Sequence, residues 1–303
     1  MQQTATSTFR SGLLFGLAAY GFWGAMPIYL RLVKQASAWE LLAHRILWSM
    51  LLLVVFVTVM RRWRLVLQNL KHRKVLAMLC LSTVCIGCNW FFFIYGVATQ
   101  QIVQTSLGYF ITPLVNLLFG MFIFGERLRP MQWLAVLLAV VGVMVMVVKG
   151  GQWPLLALGL AASFGMYGML RKAAPVDGLV GMTIETVLLC PAAVGLLWSF
   201  AAKQELLFGQ HGINMDVLLA FSGVMTTVPL LCFVAAARRL PLSVLGFLQY
   251  LSPSIQFLQA VFWFGEPFNS MQLLSFCFIW SALVIFTIDL IRRHRVPVVL
   301  EYD

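Results

Sequence analysis

The sequence predicts an all-α polytopic membrane protein of ten transmembrane helices, built as two inverted five-helix repeats. Three observations carry that expectation. Of the 303 residues, 61% are hydrophobic and 10% charged, against roughly 45–50% apolar and about 25% charged in an ordinary soluble domain. Apolar runs of about 20 residues, enough for one bilayer crossing each, follow one another along nearly the whole chain and leave no soluble module. Finally, residues 113–132, PLVNLLFGMFIFGERLRPMQ, align without a gap on residues 253–272, PSIQFLQAVFWFGEPFNSMQ.

The first five spans are expected near 12–31, 38–60, 74–96, 102–124 and 130–149, and the second five near 153–171, 178–200, 215–237, 243–264 and 270–291. The first run is too long for the apolar core of a cleavable signal and meets Arg31 and Lys34 without an A-x-A-like site, so it should stay as a span. Ten crossings bring both termini to one side. With the termini cytoplasmic, sixteen of the 21 Lys and Arg residues fall in inside loops, Arg171 and Lys172 among them, four outside and one, Arg45, within a span. That asymmetry sets the orientation, because cytoplasmic loops carry the positive excess. It also accounts for the net charge of +11 without a nucleic-acid partner. The GLAA of residues 16–19 recurs at 159–162, so residues 1–150 and 151–303 each hold five spans. Five is odd, so the second copy enters from the opposite face, the usual build of a secondary transporter.

Within the repeat, Pro113 and Pro253 each remove a helix hydrogen bond and are expected to kink or break their helices. The freed groups need protein or water partners in lipid. Tyr109, Thr112 and Asn116 stand around the first proline, and Gln249, Tyr250, Ser252, Ser254 and Gln256 around the second. The coincidence points to a cavity at the repeat interface. Gly125-Glu126 and Gly265-Glu266, which end the same spans, are read as turns that cap helix ends. The glycines of spans one and six are expected to pack those spans closely and form a rocking surface between the halves.

Ionisable groups inside a bilayer cost roughly 2.5–3.5 kcal/mol each on insertion scales, so each one needs a partner or a purpose. Glu40, His44 and Arg45 lie in the outer half of span two and Glu185 in the inner part of span seven. Glu40 and His44 are i, i+4 neighbours. Arg45 and Glu185 fall on opposite sides of the midplane, so a ligand or water partner is expected for at least one of them. Arg45 and Glu185 are candidates for charge selectivity, and Glu185 and His44 are candidates for proton coupling. Trp23, Asn89 and Trp90 sit well inside their spans beside glycine or an amide and are the aromatic and amide material of a pocket.

Absences narrow the chemistry. The sequence has no phosphate-loop motif for ATP hydrolysis and no H-E-x-x-H or G-x-S-x-G motif. Cys85 and Cys88 form a C-x-x-C with no second Cys or His pair nearby to complete a tetrahedral site, and are read as packing residues. No enzyme activity, cofactor or metal is expected.

The stretches AAYGFWG, HRILWS, IGCNW, SLGYFITPLVN, FGERLRPMQWLAV, GLAASFGMYG, IET, TTVPLLCF and LGFLQYLSP, in that order along the chain, resemble the EamA family of the drug/metabolite transporter superfamily, and closely its bacterial RarD branch. The resemblance implies ten helices in two inverted repeats, residence in the bacterial inner membrane, and a permease role associated by name with chloramphenicol sensitivity. The expected function is therefore secondary transport of small metabolites or drug-like molecules by alternating access. Trp23, Arg45, Asn89, Trp90, Tyr109, Asn116, Gln249 and Tyr250 are the expected substrate-binding residues. The expected partners are a small-molecule substrate and the lipid bilayer, with no nucleic acid; a homodimer stays open. Two other readings are kept: a non-transporting membrane scaffold or regulatory subunit, which requires a packed interior, and an intramembrane enzyme, for which Glu40 with His44 is the one acid-base pair.

Overall fold

The structure, a computed structural model, describes residues 2–99, 101–150, 155–263, 265 and 270–295. The described chain is helical throughout. In order come α1 (Gln2–Gly24), α2 (Met26–Leu32), α3 (Ala38–Val59), α4 (Trp63–Lys71), α5 (Arg73–Ala98), α6 (Ile102–Phe124), α7 (Pro130–Gly150), α8 (Leu155–Ala173), α9 (Gly178–Ala202), α10 (Ile213–Ala237), α11 (Leu242–Gln249), α12 (Leu251–Leu258), a π-helical turn (Gln259–Trp263) and α13 (Ser270–Arg295). Helix is the form an apolar segment takes in lipid, where every backbone group must be satisfied within the segment or the protein. Polar residues set the ends. Ser37 caps α3 by accepting from Glu40 N–H at 3.1 Å. Asp177 caps α9 by accepting from Leu179 N–H at 3.1 Å. Gly125 closes α6 in the left-handed region, at a φ of 64° that costs a residue without a Cβ little.

Each of the ten expected apolar stretches is helical over its described residues apart from Ala25, Met60 and Tyr250. Seven helical stretches are long and apolar enough to cross a bilayer, among them Ser7–Leu32, which joins α1 to α2, and Gly178–Ala202. The three others are α7, whose apolar part is the shorter Pro130–Val145, α8, and the interrupted α11–α12–π-turn series. The prolines act unequally. Helix α6 runs unbroken through Pro113, whereas the second copy breaks at Tyr250, three residues before Pro253. Helix α4 was not expected. It is a short amphipathic helix within the basic loop after α3, with Val66 buried and Trp63, Leu67 and Leu70 exposed.

The packing exchanges helices between the halves. Helix α1 packs on α10, α11 and α12, α8 packs on α5 and α6, and α3 pairs with α9, α6 with α11 and α7 with α13. The expected glycine contact between spans one and six is absent. Gly16 of α1 faces Leu248 and Gly24 faces Ile255, both in the second half, while Gly165 of α8 faces Val115 in the first. Gly16 and Gly24 of α1 and Gly159 and Gly165 of α8 admit side chains of the opposite half, Gly168 meets Phe233 of its own half, and α1 meets α8 through the rings of Trp23 and Phe164, 5.7 Å apart.

Hydrogen bonds define two ends of the bundle. At one, Arg62 pairs with Asp177 at 2.9 Å, Arg238 donates to Val176 O at 2.7 Å, and Lys172 donates to Leu240 O at the end of α10. Glu126 accepts there from Leu242 N–H at 2.7 Å and Ser243 N–H at 2.9 Å, the first amides of α11. At the other end Glu40 accepts from Leu207 N–H at 2.8 Å and Phe208 N–H at 3.3 Å. On the outer surface, large apolar side chains such as Phe122, Trp198 and Phe262 face outward, 77%, 76% and 82% exposed. A soluble monomer rarely shows so large an apolar shell; a lipid solvent requires it.

Candidate functional site

Buried polar side chains need partners, and their partners lead to one place. A cavity of about 190 Å³ lies between the halves on the Glu40 side of the bundle, lined from α1, α2, α3, α5, α6, α8, α10, α11 and α12. Six predicted substrate-binding residues line it: Trp23, Arg45, Asn89, Trp90, Tyr109 and Gln249. Pro253 lines it too.

Arg45 enters on α3, about two turns past the Ser37 cap. Its Nε donates to Thr226 Oγ1 at 2.9 Å, and its guanidinium carbon lies 5.4 Å from the centroid of the Trp90 ring, a cation–π distance. Thr226 in turn donates to Ser222 O at 2.9 Å, so its lone pairs point at the arginine. No carboxylate pairs with Arg45 among the described residues. The amide of Asn89 donates to Leu160 O at 3.0 Å and ties α5 to α8. Across the cavity, Ser252 donates to Tyr20 O at 2.6 Å and Gln256 to Trp23 O at 3.0 Å, fixing α12 to the carbonyl face of α1.

Asn116 and Tyr250 sit behind the wall. Fully buried Asn116 donates to Gln249 Oε1 at 3.0 Å, so it positions a lining residue rather than lining the cavity. Tyr250 turns its hydroxyl to Phe110 O at 3.2 Å. Pro113 faces α11, where a Cβ on Gly246 would come within 2.7 Å of its carbonyl oxygen.

The proton-coupling candidates lie off the cavity. His44 accepts from Trp48 Nε1 at 3.2 Å, with Glu40 3.8 Å from its Nε2. Glu185 pairs with Arg171 at 3.6 Å, accepts from Ser82, and takes a longer bond from Tyr167 at 3.4 Å. Arg171 corrects the charge count: placed among loop residues by its position, it is fully buried in α8. Sequence reading also missed Thr226, although two threonines together in an apolar run, just before Pro229, are an unusual polar mark. The Gly125-Glu126 turn does more than end a helix, since Glu126 caps α11 of the other half. Glu266, its repeat counterpart, lies outside the described residues.

Below the cavity the bundle is filled. Along α8, Leu160 and Phe164 line the cavity, and Tyr167 and Arg171 follow one turn apart towards the Arg62 end. Tyr167 stacks on Phe233 at 6.1 Å, Phe233 meets Tyr20 at 6.3 Å, and all three are fully buried. A second cleft, of about 630 Å³, opens at the Arg62 end beside Phe15, Phe56 and Cys232. Its charges are already engaged: Arg62 with Asp177, Arg238 with Val176 O, and Arg239 with Ala235 O at 2.8 Å. Arg45 is the lining cation with guanidinium donors to spare, which marks the first cavity as the candidate site.

A multi-span helical membrane protein with a polar and aromatic cavity between its halves defines the class. The chain belongs to the EamA-like transporter family, whose profile matches residues 10–148 and again 151–288. It is 46% identical over 286 residues to "Protein RarD" of Salmonella typhi, covering 94% of this chain and 97% of that protein. An "Uncharacterized transporter" of Vibrio cholerae serotype O1 is 44% identical over 281 residues, covering 92% of this chain and 93% of its own. A crystal structure 16% identical in sequence shares the fold with a TM-score of 0.70, covering 92% of this chain and 98% of that one.

Proposed function

We propose that the protein is a secondary transporter that carries a small metabolite or drug-like molecule by alternating access to the cavity at Arg45. The cavity carries the reading: a scaffold needs a packed interior, whereas here polar groups from both halves converge on space that a solute can fill. For the intramembrane-enzyme reading, the one acid-base pair, Glu40 with His44, lies off the cavity, and one Glu40 oxygen accepts from Leu207 N–H and Phe208 N–H.

Ten membrane-spanning helices in two inverted repeats, 1–150 and 151–303, supply the moving parts. The two family matches support that division. So does the packing, which maps onto itself when the halves are exchanged: α1 with α10 becomes α8 with α5, and α3 with α9 and α7 with α13 pair counterparts. In the inner membrane with both termini cytoplasmic, the cavity faces the outside and the Tyr20–Tyr167–Phe233 plug separates it from the inside. Opening the plug and closing α2 over the cavity exchange the access. Trp23, Asn89, Trp90, Tyr109 and Gln249 hold the substrate, with Asn116 and Tyr250 supporting the wall. Glu185 and His44, which lie off the cavity, are kept as the candidates for proton coupling.

The test is uptake of a broad metabolite mixture, with chloramphenicol included, into proteoliposomes with and without a pH gradient. Accumulation of a solute that is lost in Asn89→Leu supports the reading. Absence of accumulation of every solute in either condition overturns it.

A further inference from the structure

Resting on the reading that this cavity holds the transported solute, we propose that the solute is a small organic anion: a flat apolar body bearing one carboxylate- or sulfonate-like group that docks on Arg45. The guanidinium spends Nε on Thr226 at 2.9 Å and its flat face on Trp90. Its terminal amino groups have no hydrogen-bond partner among the described residues, and no acidic residue lines the cavity. The two free terminal amino groups of the guanidinium form a fork that matches a pair of oxygens on a carboxylate or sulfonate. In a low-dielectric interior an unpaired cation attracts an anion strongly and repels a second cation.

Tyr20, fully buried, packs in the wall of the cavity with a hydroxyl that has no hydrogen-bond partner. The rest of the wall suits an apolar body, with Trp23, Trp90, Phe93 and Phe164 around it. The volume of about 190 Å³ falls below the roughly 300–1,000 Å³ of sites for drug-sized ligands, so the body is about one ring.

The test compares three probes of one shape, phenylacetate, phenylacetamide and phenethylamine, by calorimetric titration of the detergent-purified full chain at constant ionic strength. Phenylacetate should bind at least ~10-fold more tightly than the neutral amide, and the amine more weakly than both. Arg45→Lys should keep the order of the first two, and Arg45→Gln should bring their ratio to about one by removing the charge-assisted bonds. Equal or tighter binding of the amide or the amine to the wild-type chain overturns the proposal, whether or not Arg45→Gln folds. A preference for phenylacetate that survives in folded Arg45→Gln overturns it as well. The two readings fail separately: loss of the preference with intact uptake of a neutral solute removes the anion assignment alone, and an anion preference in a chain that accumulates nothing removes transport alone.

Discussion

The carboxylate of Glu185 lies 3.6 Å from the guanidinium of Arg171, with side chains 4% and 0% exposed. The pair joins α9 to α8 one turn beyond the Tyr167–Phe233 stack, and Ser82 of α5 donates to the same carboxylate oxygen. Removing one partner of a buried pair strands the other's charge, at a cost of about 3–5 kcal/mol, whereas replacing both by apolar groups of similar size is often neutral or better. Glu185→Gln and Arg171→Met should therefore each lower the melting temperature in detergent, by on the order of 10 °C. The Arg171→Met, Glu185→Leu double variant should recover most of that loss. Single variants that melt with the wild type would show that the pair contributes nothing.

Gly181 makes room for this pair. A Cβ there would fall on the Arg171 guanidinium, and a small-to-large change in a packed interior costs about 1–3 kcal/mol. Gly181→Ala should destabilise the wild-type chain and leave the Arg171→Met background nearly unaffected, as a melting-temperature cycle would measure. Equal losses in both backgrounds would place the clash elsewhere.

Asp177 serves two partners of unequal value. Its bond to Arg62 is 2.9 Å long, but the side chains are 44% and 33% exposed, and screened surface pairs contribute less than about 1 kcal/mol. Its cap on Leu179 and Val180 is of the kind whose loss costs about 1 kcal/mol. Arg62→Ala and Asp177→Asn should thus melt close to the wild type, and Asp177→Ala clearly lower. The reverse order would make the ion pair the stronger contact.

Asn116 acts on the site through Gln249. With its 3.0 Å bond removed, Gln249 gains freedom and loses its aim. Asn116→Leu should weaken the tightest-binding solute several-fold although it does not touch the cavity, and in Gln249→Leu the further change Asn116→Leu should add little, since residues in one hydrogen-bond network couple. Binding that is additive across this cycle would disprove the coupling.

The helices were legible because a bilayer imposes one length and one polarity on each crossing, which is why span two, expected at 38–60, is Ala38–Val59 in the structure. The site was legible where two signals met on one segment: Arg45 as a charge within a span, Asn89 and Gln249 as amides among apolar residues. What failed to show was azimuth. Gln249 and Tyr250 are adjacent and equally polar to the eye, yet a step of about 100° around the helix sends one to the cavity and the other to Phe110 O. Arg171 stands beside Lys172 and looks like one more loop cation. Its partner is fourteen residues on in another helix, and only packing brings the two together.

Glu126 belongs to the first repeat, but the amides it satisfies open a helix of the second. A fragment holding only residues 151–303 would begin α11 with those donors bare, so the second half is not a self-sufficient unit that could be expressed, shuffled or inherited by itself with its ends intact. The order of synthesis fits this dependence: α6 and its carboxylate are already made when α11 leaves the ribosome, and the later helix docks onto a receptor its own sequence does not contain.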